Sequence, residues 1–126
     1  MTIAEILKGT DDKKLTAVPT PEWPELDGQL FARKVSAAQK IGFWDASRKN
    51  KASSGAAFVA MMVTMGATDK DGIRAFGDDD FLWLQEKDGE AIGRLAEAID
   101  SLNVLSSYQQ GNLEKNSESP ENSEST

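Results

Sequence analysis

The chain has 126 residues, with 14 Lys and Arg against 21 Asp and Glu for a formal charge of −7, and it contains neither histidine nor cysteine. Without cysteine there is no disulfide framework and no thiolate, and without histidine the commonest zinc ligand and the usual base at neutral pH are missing, so most nucleophilic and metal-assisted enzyme designs are closed. The acidic balance repels phosphate backbones and argues against a nucleic-acid partner; Arg33, Lys34, Arg48, Lys49 and Lys51 read as a strand edge and a solvated helix end.

In chain order, TIAEILKG opens with Thr2 and, three residues on, Glu5, the spacing of a capping box. Ile3, Ile6 and Leu7 share one face before Gly9 stops a short helix. DDKK is a solvated connector. LTAV and QLFARKV then read as two strands, separated by the proline-rich PTPEWPELDG. Pro19, Pro21 and Pro24 forbid regular pairing inside that loop, and Asp27-Gly28 marks the turn into the second strand. The expected β-structure is a short ribbon of two strands between residues 15 and 35.

Ser36 and Gln39 form a second capping box, opening a helix over 36 to 50 with Ala37, Ile41 and Trp44 on one face and Arg48 and Lys49 at its negative end. After KASSG comes AAFVAMMVTMG, apolar nearly all round. Its Ala and Met content and its length favour a buried helix over 54 to 66 rather than a core strand. At ten residues, Ala56 to Met65 is about half of a membrane span, which needs roughly 20. The chain's start lacks the basic and apolar regions of a signal peptide. The expectation is a soluble protein with no membrane partner.

The stretch TDKDGIRAFGDDDFLWL packs acids around Gly72 and invites comparison with a calcium loop. With Gly72 at loop position 6, Ala67 falls at position 1, Arg74 at 8 and Asp78 at 12, so an opening ligand, an aliphatic residue and a bidentate glutamate are all missing. No metal or other cofactor is expected. Asp71-Gly72 instead reads as a turn. Gly77 then becomes an N-cap, Asp78, Asp79 and Asp80 fill the first turn of a helix over 78 to 87, and Phe76 and Phe81 take the positions of a hydrophobic staple.

Phe81 and Leu84 face inward in that reading, with Trp83. Asp88 caps a final helix over 89 to 105, whose Ile92, Leu95, Ile99 and Leu102 keep the 3, 4, 3 spacing of one face. From Glu114 on, the sequence carries four glutamates against one lysine and almost nothing to bury, the composition of a disordered tail. The fold class is therefore α+β: a mostly helical single domain over 1 to 112 with a short N-terminal two-stranded β-ribbon, followed by a disordered acidic C-terminal tail over 113 to 126.

One ordered series of residues carries a family likeness. VPTPEW (18 to 23), DGQLFARKVSAAQ (27 to 39), DKDGIRAF (69 to 76), DDDFLWL (78 to 84), AIDSLNVL (98 to 105) and LEKN (113 to 116) together resemble the tail assembly chaperones of long-tailed bacteriophages and prophages. Arg33 and the Val35-Ser36-Ala37 step match the family's strand-to-helix junction, while Pro24 stands where many relatives have glycine. The likeness covers roughly residues 15 to 116 and lies in the order of the series rather than in any one motif.

The resemblance implies a non-enzymatic protein of viral morphogenesis in the host bacterial cytoplasm. It would bind the long, helical tape measure protein, keep it soluble and help tail-tube protein polymerise around it; self-association is a further expectation. In many phages a ribosomal frameshift also makes a longer form. Candidate partner-contact residues are Trp23, Arg33, Met61, Met62, Met65 and Trp83: Met-rich apolar helices could offer an adaptable groove to amphipathic helices, Trp23 an anchor, and Arg33 a contact for an acidic stretch of the partner.

Each candidate also has a plainer use: core for the methionines and Trp83, a lid on the core for Trp23, an ion pair for Arg33. The alternative function is a small structural or adaptor protein of the phage particle. An enzyme built on Asp79 with Asp80 or Glu86 with Asp88 would need those carboxylates to converge on a pocket, whereas their positions suit helix caps and surface charge.

Overall fold

A computed structural model describes residues 1 to 52 and 55 to 106. The elements run α1 (Ile3–Lys8), β1 (Leu15–Ala17), β2 (Phe31–Arg33), α2 (Ala37–Lys49), α3 (Gly55–Gly66), β3 (Ala67–Thr68), a 3-10 turn (Asp78–Asp80), α4 (Phe81–Leu84) and α5 (Gly89–Asn103). The acidic tail expected over 113 to 126 lies outside the described residues.

Local signals set the helix starts. Thr2 and Ser36 each accept the amide of the residue three on, and Glu5 and Gln39 return the bond to the cap amide. The Asp88 carboxylate accepts from Glu90 and Ala91 at 2.9 and 3.0 Å to open α5.

α3 is the centre of the molecule. Phe58 and every residue from Ala60 to Gly66 are buried, as its all-round apolar sequence requires. α5 lies along it, with α2 and α4 packing on other sides. α5 presents Ile92, Leu95, Ala96 and Ile99 to this core. α3 and α5 approach so closely at Gly66 that a Cβ there would stand 2.5 Å from Ile99 Cγ2.

The face of α2 differs from the expected one. Phe43, Trp44 and Ser47 are buried, while Ile41 is 51% exposed. Both stripes satisfy helical spacing. The observed one buries two large rings, Phe43 against Phe58 at 5.3 Å between centroids and Trp44 with its indole N–H toward the Leu105 carbonyl, and aromatic burial outweighs that of one isoleucine.

The sheet has three strands rather than the expected two. It is antiparallel in the order β1-β2-β3, with Thr16 opposite Ala32 and Ala32 opposite Ala67. β3 is only two residues long and leaves α3 directly, so it has no alternating pattern of its own to read. The helix expected over 78 to 87 is also shorter: one 3-10 turn and one α-turn, followed by turns at Glu86 and Lys87.

Candidate partner-binding site

The proline-rich loop is fixed by its own turns. The Thr20 amide donates to the Asp27 carboxylate at 2.9 Å, and successive bonds run from Trp23 to Thr20, Leu26 to Trp23 and Gln29 to Leu26. Arg94 on α5 clamps it from below, with both terminal nitrogens on Glu22 at 2.9 Å and one of them also on the Pro19 carbonyl. The Arg94 bonds hold the Glu22 carboxyl down to a pKa of about 2, assisted by a backbone bond and the guanidinium charge. The clamp sets Trp23, half-buried, beside the α4 region.

The second wall comes from the acidic knot. Asp69 accepts from the amides of Asp71 and Ile73 at 2.8 and 3.0 Å, and Gly72 takes φ +83°. The turn therefore rests on the carboxylate of Asp69, where the sequence reading placed that role on Asp71. Phe76 leaves this turn and sets its ring edge-on to Trp83 at 6.0 Å, so its ring partner lies two residues beyond the Phe81 of the expected staple.

Trp83 is 46% exposed, contrary to its expected core position. It is nonetheless held on three sides. Its indole N–H donates to Asp80 at 2.9 Å, Phe76 meets its edge, and the Lys87 ammonium lies 5.9 Å from the ring centroid. Asp80 also accepts from the Gly77 amide at 2.7 Å, and these two bonds, the backbone one first, draw its pKa below the ordinary carboxylate value. Trp23, Leu26, Phe76 and Trp83 thus line an apolar groove of about 250 Å³ over Leu84, with Glu25 and Lys87 beside it.

The other candidates lie elsewhere. Met61, Met62 and Met65 are 5%, 3% and 8% exposed and belong to the core, although Met61 and Met65 also form part of the floor of a second pocket of about 560 Å³, which they line with Arg33, Phe43, Arg74 and Phe81. Among the described residues Arg33 pairs with no carboxylate. Its Nε and Nη2 donate to the Met65 carbonyl at 3.0 and 2.6 Å, and Arg74 does the same to the Thr64 carbonyl at 3.0 and 2.7 Å. Two guanidinium groups therefore close the C-terminal end of α3, where the helix dipole is negative. Burial, and then the positive Arg74, pull the Arg33 pKa down.

Of the carboxylates weighed as catalytic pairs, Asp80 bonds Gly77 and Trp83, and Asp88 bonds the start of α5. Among the described residues no three Asp, Glu, His or Cys side chains gather as a metal site, and no helix is long and apolar enough to cross a membrane. Sequence reasoning missed Leu26 and Phe76 as groove residues. Leu26 has a signal, an apolar residue isolated in a polar turn, whereas the pairing of Phe76 with Trp83 follows from the short α4 and has none.

Comparison of the chain with protein-family models, curated proteins and solved structures gives no match.

Proposed function

We propose that the chain is a non-enzymatic tail assembly chaperone that binds the tape measure protein, keeps it soluble in the host bacterial cytoplasm and aids polymerisation of tail-tube protein around it. The ordered likeness over residues 15 to 116 supports the family. The observation that carries the binding role is Trp83, exposed and yet fixed by Asp80, Phe76 and Lys87 beside Trp23.

An amphipathic helix docks by placing apolar side chains at i, i+3 and i+4 spacing into such a groove. Ordering a mobile side chain on binding costs about 0.5–1.5 kcal/mol, and a tryptophan already held in place avoids most of that cost. Aromatic anchors of this kind dominate interface energies. The net charge of −7 keeps a complex with an aggregation-prone partner dispersed through mutual repulsion.

Co-expression with the cognate tape measure protein tests the reading: the soluble fraction of that protein rises and the two co-purify. Mass spectrometry of purified particles separates this function from that of a structural or adaptor protein of the virion. A chaperone is absent from finished particles, and a stoichiometric copy number in them would assign the chain to the particle.

A further inference from the structure

α1 and the Trp23–Trp83 groove are complementary, and among the described residues nothing covers either. Ile3, Ile6 and Leu7 fall at the i, i+3, i+4 spacing of one helical face, and they are 85%, 54% and 63% exposed. A helix of six residues is about 9 Å long and too short to persist in water without a surface to pack on. The Thr2–Glu5 capping box closes its start but adds only about 1 kcal/mol. The groove holds about 250 Å³ between Trp23, Leu26, Phe76 and Trp83. That is below the ~300–1,000 Å³ of small-molecule pockets, and it suits the aliphatic side chains of one helical turn.

We propose that α1 of one copy docks in the Trp23–Trp83 groove of a second copy, so that two chains exchange N-terminal helices in a symmetric dimer. No residue of α1 is buried, so the described residues leave both the helix and the groove uncovered. Residues 9 to 14, which tether α1 to β1, are all exposed and reach about 20 Å when extended, enough to cross to a neighbour. Each copy brings one helix and one groove. The two contacts therefore close under a two-fold axis, and the exchange buries twice the area of a single docking. The proposal goes beyond the chaperone reading: α1 would hold the groove in the free chain and give way to a tape measure helix of higher affinity, and its own test does not depend on that reading, because no tape measure protein enters it.

The test is sedimentation equilibrium of the full chain from low micromolar to about 1 mM, the range of a small interface. The expected result is a monomer–dimer equilibrium that Leu7→Asp and Trp83→Ala each weaken by about tenfold or more, with circular dichroism showing both variants folded. An equimolar mixture of the two, in which one intact helix meets one intact groove, forms a heterodimer at concentrations where neither variant self-associates. Leu26→Asp serves as a second groove variant should Trp83→Ala disturb the turn. A wild-type chain that stays monomeric throughout, or a dimer indifferent to Leu7→Asp, overturns the proposal. A monomer whose tryptophan fluorescence changes with Leu7→Asp also overturns it, since the helix would then be docking on its own chain.

Discussion

Asn103 sits on the buried stripe of α5, one turn beyond Ile99, and joins that helix to the sheet. Its Oδ1 accepts from the Val35 amide, and its Nδ2 donates to the carbonyls of Arg33 and Ile99, all at 2.9 Å. Asn103→Ala would leave Val35 and Arg33 with partly buried unpaired backbone groups. The expected loss is about 2–4 kcal/mol of stability in urea denaturation; a loss near zero would show that water replaces the side chain. At Gly66, the 2.5 Å approach to Ile99 Cγ2 predicts that Gly66→Ala destabilises by about 1–3 kcal/mol through overpacking. Combined with Ile99→Ala, which removes Cγ1, Cγ2 and Cδ1, the atoms nearest that Cβ, Gly66→Ala should cost less than it does in the wild-type chain. The spacing read from the sequence ended the inward face on Leu102 and did not single out Asn103, which the structure buries. Its partners, 68 and 70 residues away, were not legible, since long-range pairing leaves no local pattern. The same holds for Arg33: sequence singled it out, but only the folded chain brings it to the end of α3.

Element starts were the most legible feature, because caps are local chemistry: Thr2, Ser36 and Asp88 each do what their spacing implies. Element ends and faces were less so. α4 stops after one turn, which leaves Leu82 at 63% and Trp83 at 46% exposure, and β3 is too short to announce itself. The turn at Asp69 gives one prediction: Asp69→Ala, which deprives the Asp71 and Ile73 amides of their acceptor, should cost about 1 kcal/mol. Added calcium should leave the melting temperature of the wild-type chain unchanged, and a calcium-dependent rise would restore the metal-loop reading. The Pro-loop clamp gives another. Glu22 has a folded pKa of about 2 against an ordinary 4.5, so its contribution is fully present above pH 4.5 and is lost as pH falls toward 2. Glu22→Gln should therefore flatten the acid limb of the stability curve below pH 4.5 and raise amide exchange around Trp23. An unchanged acid limb would mean the clamp does not hold the loop in solution.

At the scale of the whole molecule, two segments far apart in sequence are brought together as the walls of one apolar groove. Residues 19 to 29 are positioned by Arg94, and residues 69 to 84 by Asp69 and Asp80. The methionines that sequence reading offered as the adaptable surface are mostly buried in the core, whereas Trp83 is 46% exposed. This division follows from size: a small domain has little apolar material to spare, so its one all-apolar helix is needed inside. The groove is the central claim, and Trp83 tests it most directly, since its exposure allows substitution without opening the core. The measurement is the soluble fraction of the cognate tape measure protein co-expressed with wild type or with Trp83→Asp, after circular dichroism has shown the variant folded. Wild type is expected to raise the soluble fraction and to co-purify with the tape measure protein, and Trp83→Asp to abolish both. A variant as effective as wild type would contradict the site, and a wild-type chain that neither co-purifies nor changes the soluble fraction would contradict the function.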